Sequence, residues 1–213
     1  MTRTATRRSN TLKEGILNTD HVITDEELVE LAQRAGEGDL RPFDSLVERH
    51  RGKVLANCRY LTRAAADSED LAQEVFLKAF FALNRFEGRS SFTTWLQRIK
   101  INHCLNYIEK QKRRQVVDVE DPALTHRKEF QVASRAHQLA EASSDRERIV
   151  LILDSLAETL RVPLVLRDAD GASYQEIADQ LQIGLSAVKM RIKRAREEFR
   201  SRWLAAFGDT VPR

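Results

Sequence analysis

The chain has 213 residues, room for one large domain or two small ones. Apolar residues make up 42% and charged residues 31%, enough for packed cores under a well-solvated surface, and a net charge of +3 is too small to mark the whole chain as a polyanion binder. Two cysteines, Cys58 and Cys104, make neither a disulfide framework nor a C-x-x-C metal site, and no apolar run spans a bilayer, so disulfide-stapled, zinc-organised and membrane-inserted classes are set aside.

Residues 1–24 read as a basic tail, with no apolar signal core after Met1–Asn10. It is either a disordered extension or a partner-binding segment. A cytoplasmic protein is expected. Prolines and glycines are few and period-two alternation is weak, so the fold class is all-α. Thr24 or Asp25 caps a first helix through Leu28, Leu31 and Ala32, which Gly36 and Gly38 break. A second helix starts near Leu40 and carries Phe43, Leu46, Val54, Leu55 and Leu61. A third starts near Asp67, and its Leu71, Val75, Ala79 and Leu83 form a core stripe with a period of four. Arg85–Ser91 reads as a loop, and a fourth helix runs from Phe92 to about Lys112. These elements make one helical module, residues 25–115.

Residues 116–144 open with the acidic stretch Asp118-Val119-Glu120-Asp121-Pro122 and show no sustained apolar period. They read as a flexible linker, or alternatively as an irregular helix packed on a module. A second small module follows at 145–203, with a C-terminal tail at 204–213. Its helices are expected at Asp145–Ser155 and Ala157–Asp168, with Pro163 near a helix start. Ser173-Tyr174-Gln175-Glu176 has capping-box form and opens the next helix. The turn Gln182-Ile183-Gly184 leads to a last helix from Leu185 to Trp203.

Helix, glycine-containing turn and basic helix form the layout of a helix-turn-helix. Val188, Ile192, Ala195 and Phe199 share one face of the last helix, while Lys189, Lys193, Arg196 and Arg200 share another. Lys189, Met190, Lys193 and Arg194 are the residues expected at DNA, as helix side chains reach base edges and phosphates from the major groove. On the fourth helix, Arg98, Asn102 and Asn106 form a polar strip that can bond phosphates or base edges. Phe86, Phe92 and Trp95 lie beside it. They either wall in an unpaired base or pack in the core, and core packing is the reading favoured for Phe92 and Trp95. On the third helix, Asp70, Gln73 and Glu74 point away from the core stripe. An acidic surface repels DNA, so this one is either simply solvated or docks on a protein.

The stretches Asp67–Phe80, Phe86–Leu96, Gly171–Ala178 and Val188–Glu197 together resemble sigma factors, the bacterial initiation factors of RNA polymerase. The short two-module form is similar to the extracytoplasmic-function group. The resemblance implies a non-enzymatic factor that binds core polymerase and directs promoter recognition and opening. It implies that Asp70, Gln73 and Glu74 grip the clamp helices of the largest subunit, with further contact at the flap of the second-largest. It places Phe86, Glu87, Gly88, Arg89, Ser90 and Ser91, with Arg98 and Asn102, at the −10 element. It places Ser186, Lys189, Met190, Lys193 and Arg194 at the −35 element. An anti-sigma partner is expected from the same resemblance. No catalytic residue, metal or cofactor is expected, as His50, His103, His126 and His137 are scattered. Two rivals stand beside this reading: a helix-turn-helix regulator independent of polymerase, and a sigma-derived module that only sequesters proteins.

Overall fold

The computed structural model describes residues 23–35, 38–117, 142 and 144–208. Most of the expected N-terminal tail and linker, and residues from 209 on, lie outside these described residues. Among the described residues the chain is helical, as expected, and no strand occurs.

Helix α1 (Asp25–Ala35) opens with a capping box that Thr24 supplies. The Glu27 amide donates to Thr24 Oγ1 at 3.2 Å and the Thr24 amide donates to Glu27 Oε2 at 2.7 Å. Helix α2 (Arg41–Thr62) ends at Arg63, which adopts a left-handed φ of 62°. Helix α3 (Ser68–Ala82) buries Leu71, Val75 and Ala79, the expected stripe, and tightens into a 3₁₀ turn at Leu83–Arg85. Helix α4 (Phe92–Val117) runs further than its expected end near Lys112. Its buried positions Phe92, Leu96, Lys100, Cys104 and Ile108 are spaced by four, so a lysine stands in the middle of an apolar stripe.

In the second module, helix α5 (Asp145–Ser155) begins with a Ser144–Glu147 capping box. Helix α6 spans Glu158–Asp168, and helix α7 (Tyr174–Leu181) opens with the expected Ser173–Glu176 box. Gln182 closes α7 in the left-handed region, with φ 52°, and the turn leads into helix α8 (Leu185–Phe207). That helix outruns the expected end at Trp203 because Phe207 packs on Trp203 at 4.9 Å between ring centroids. Gly208, at φ 68°, then closes it, the usual role of glycine after a helix.

Pro163 corrects one expectation. It sits inside α6, not near its start. A proline there removes one intrahelical bond. Burial outweighs the loss, since every residue from 160 to 166 is buried. A helix covered on all sides lies between other elements. Helix α6 packs on α8 and α7 of its own module and on α2 of the first.

The modules are therefore docked. The Arg59 guanidinium bonds both Asp154 oxygens, at 3.0 and 2.5 Å. Arg161 Nη2 donates to the Leu61 carbonyl at 2.8 Å and Arg63 donates to the Leu156 carbonyl, each cation meeting the C-terminal end of a helix across the interface. Lys112 Nζ lies 2.7 Å from Glu158 Oε1. At the centre, Lys100 Nζ meets Asp170 Oδ1 at 2.6 Å.

Candidate nucleic-acid interface

Three surfaces carry the residues singled out above. The first is the loop before α4. Its base is fixed by Gln33 of α1, whose Nε2 donates to the Leu83 and Phe86 carbonyls at 2.8 and 2.9 Å. Its far end is fixed by Ser91, whose Oγ accepts from the Thr94 amide at 3.2 Å and so caps α4. Gly88 provides the bend, with φ 68°, a conformation costly for a side chain with Cβ. Glu87 and Arg89 pair within the loop. The Phe86 ring is half-buried, 5.0 Å from Trp95 and 6.4 Å from Phe92 between centroids. Phe92 is fully buried and Trp95 partly so, in line with core packing for these two. Glu87, Gly88, Arg89 and Ser91 are exposed, and Ser90 is intermediate.

The polar strip adjoins this loop. Arg98, Asn102 and Asn106 are all exposed along α4. Arg98 and Asn102 share a cleft of ≈590 Å³ with Asp170, Gly171, Glu176 and Asp179 of the second module. Bonds from Ser173 hold the Glu176 carboxyl below its ordinary range, and the nearby Arg98 charge adds to the effect.

The second surface is the outer face of α3. Asp70, Gln73 and Glu74 are exposed together, as expected. Two features there are absent from the sequence reading. Leu77 and Phe81 continue the same face, and Phe81 is 75% exposed. Gln73 and Leu77 also edge an apolar groove of ≈580 Å³ between α2 and α3, lined by Phe43, Val47, Phe76 and Phe80. An exposed apolar patch rimmed by charge is the character of a protein-docking face. The other feature is His103, a buried buttress under Glu74. Its Nδ1 lies 2.9 Å from Lys78 Nζ, and its Nε2 lies 3.1 Å from Glu74 Oε2. Burial lowers the imidazole pKa, the Lys78 charge lowers it further, and Glu74 opposes both.

The fold thus favours neutral His103, and a pH dependence follows. Its stabilising contribution is complete above the unfolded value near 6.5 and is lost as pH falls toward the lowered folded value. The first module should melt earlier at about pH 5.5 than at about pH 7.5. His103→Gln should flatten that difference in a thermal scan, and an unchanged slope would contradict the assignment.

The third surface is the start of α8. Val188, Ile192 and Ala195 are buried, whereas Ser186, Lys189, Met190, Lys193 and Arg194 are exposed. Arg196, one of the expected basic stripe, is turned to another task. It bonds Asp168 through Nε at 3.0 Å and Nη2 at 2.5 Å and ties α8 to α6. The outward positive charge is therefore concentrated nearer the N-terminal half of the helix, the half that reaches base edges in a helix-turn-helix.

Cys58 and Cys104 are free and buried, with sulfurs 3.7 Å apart between α2 and α4. Among the described residues no group of His, Cys, Asp and Glu is arranged to hold a metal ion, and no helix is long and apolar enough to cross a membrane. The residues that sequence reasoning passed over are Asn57, Gln97, Lys100 and Asp170. The signal for Lys100 was present, a charge at the central position of a four-spaced apolar stripe.

Residues 46–114 match Sigma-70 region 2, and residues 146–199 match Sigma-70, region 4. The ECF RNA polymerase sigma-E factor of Escherichia coli strain K12 is 37% identical over 180 residues, covering 82% of this chain and 92% of that protein. The RNA polymerase sigma-H factor of Pseudomonas aeruginosa is 35% identical over 183 residues, covering 83% and 93%. A similar fold occurs in the sigma factor RpoE solved in complex with the anti-sigma factor NepR from Bartonella quintana. The TM-score is 0.56 at 23% identity, covering 78% of this chain and 98% of that one. The two matched regions in sequence order, with full-length relatives of this similarity, place the chain in the extracytoplasmic-function group of the sigma-70 family: it is a non-enzymatic alternative sigma factor that directs promoter recognition in transcription initiation.

Proposed function

We propose that the work of initiation is divided among the three surfaces. Asp70, Gln73 and Glu74 dock on the clamp helices of the largest subunit of core polymerase, and the second module meets the flap of the second-largest. The loop Phe86–Ser91, with Arg98 and Asn102, captures the −10 element. Ser186, Lys189, Met190, Lys193 and Arg194 meet the −35 element. Residues 25–115 and 145–203 act as separate units, and the segment 116–144 runs between them through the enzyme toward the RNA exit path. The factor acts in the cytoplasm, on the nucleoid. An anti-sigma protein covers its docking faces when it is idle.

The observation that carries this reading is the separation of surface chemistry within one small module. Helix α3 exposes acid and apolar side chains, which suit a protein partner, whereas α4 exposes arginine and asparagine, which suit DNA. Opening a promoter costs a few kcal/mol for each flipped base, and a fixed loop that binds the flipped base offsets this without reorganising. The test is binding to core polymerase. Replacing Asp70, Gln73 and Glu74 together by alanine should weaken holoenzyme formation at least tenfold without changing the helical circular dichroism. Undiminished affinity would overturn the docking assignment.

A further inference from the structure

The loop Phe86–Ser91 departs from a helix end, where backbone carbonyls are left without intrahelical partners. After the 3₁₀ turn at Leu83–Arg85, Phe86 becomes extended, with φ −75° and ψ 113°. The Phe86 amide donates to the Leu83 carbonyl at 2.9 Å. Gln33 Nε2 adds a second bond to the Leu83 carbonyl at 2.8 Å and one to the Phe86 carbonyl at 2.9 Å. A single side-chain amide thus spends both of its N–H groups on the two ends of one turn. Because a peptide unit is planar, holding the Phe86 carbonyl sets the direction in which the chain leaves toward Glu87 and Gly88.

The helix that supplies this hold is itself fixed. Helix α1 buries Leu28, Val29 and Ala32, and Asp25 at its start bonds Arg49 at 3.0 Å and His50 at 2.6 Å on α2. The His50 ring lies 5.4 Å from that of Phe92, the residue after the loop. Inside the loop the bonds are local: Glu87 pairs with Arg89, and Ser90 Oγ donates to the Ser91 carbonyl at 3.4 Å. A Cβ built on Gly88 would meet no atom within 4 Å, so the bend stands clear of the module. The shape of the loop therefore depends on its two anchors, the Ser91 cap and Gln33. Gln33 stands before residues 46–114, the segment that matches region 2.

We propose that Gln33 is a positioning residue for base capture: from α1 it holds the loop Phe86–Ser91 in the shape that receives the flipped base, and so sets −10 selectivity without touching DNA. The proposal rests on the reading of that loop given above. A loop already in its binding shape loses no affinity to ordering itself when the base arrives. Both partners of Gln33 are carbonyl oxygens, so only a donor can do its work.

The experiment uses holoenzyme assembled from core polymerase and the full chain. The probe is a single strand carrying the −10 element that wild type selects from a randomised promoter library, with each position in turn made abasic. One position should matter far more than its neighbours for wild type, which marks the captured base. Gln33→Met keeps the length of the side chain and its preference for helix but has no donor. It should bind the intact strand about tenfold more weakly, the scale of two neutral hydrogen bonds. It should bind the strand abasic at the captured position as wild type does, and core affinity should not change. Gln33→Lys restores a donor and should recover most of the discrimination between the two strands. A role in packing alone predicts that Gln33→Met weakens both strands equally or neither, and either result overturns the proposal. Failure of Gln33→Lys to recover discrimination overturns it as well. A wild type indifferent to every abasic position would overturn the base-capture reading and this proposal with it.

Discussion

Replacing Arg98 and Asn102 together by alanine should cut run-off transcription at least about thirtyfold while leaving holoenzyme formation intact. Each base-edge contact of this type discriminates by about 1–3 kcal/mol, and about 1.4 kcal/mol is a tenfold effect. Both side chains are exposed on α4, so their removal leaves the core packing untouched. The residues proposed to dock on polymerase lie on α3, so the two activities should be separable. A potassium permanganate footprint of the melted strand measures opening, and native gel shift of core measures binding. Equal loss of both would mean that the strip serves polymerase binding and not DNA.

Trp203→Ala should abolish −35 binding without touching a DNA-facing residue. Trp203 is fully buried in the second module, stacked on Phe199 at 6.1 Å and edge-on to Phe207 at 4.9 Å. Arg148 of α5 lies over the Phe207 ring at 4.8 Å, so the aromatic ladder also anchors the module's first helix. Truncating a buried tryptophan costs about 3–5 kcal/mol. That is comparable to the stability of a small domain, typically about 5–15 kcal/mol in total. Helix α8 should then fray from its C-terminal end, and a thermal scan should show the second module melting at least about 10 °C earlier. A folded variant with unchanged melting would show that the ladder is dispensable.

Local signals made most helices legible from the residues. The Thr24, Ser144 and Ser173 boxes each satisfy amide donors that a helix start leaves open, and the residue pattern alone marks Thr24 and Ser173 as caps. The stripe Leu71–Val75–Ala79 and the face Val188–Ile192–Ala195 are also local, because helical periodicity alone determines which side is buried. Sequence puts Pro163 near a helix start because the cost of a proline is local, whereas the burial that outweighs it inside α6 comes from α2, α7 and α8. The exposed surfaces were legible as residue types and spacings. Their relationships were not. Asp170 and Lys100 stand 70 positions apart, and nothing near either residue announces the other. The Glu74–His103 contact and the exposure of Phe81 depend in the same way on which helices become neighbours.

This chain should confer promoter specificity on core polymerase. Run-off transcription with purified core enzyme on a randomised promoter library tests it most directly. Transcripts should start at defined positions downstream of a shared −10 and −35 pair and be lost when the chain is omitted. Core enzyme that starts at the same positions with or without the chain would contradict it.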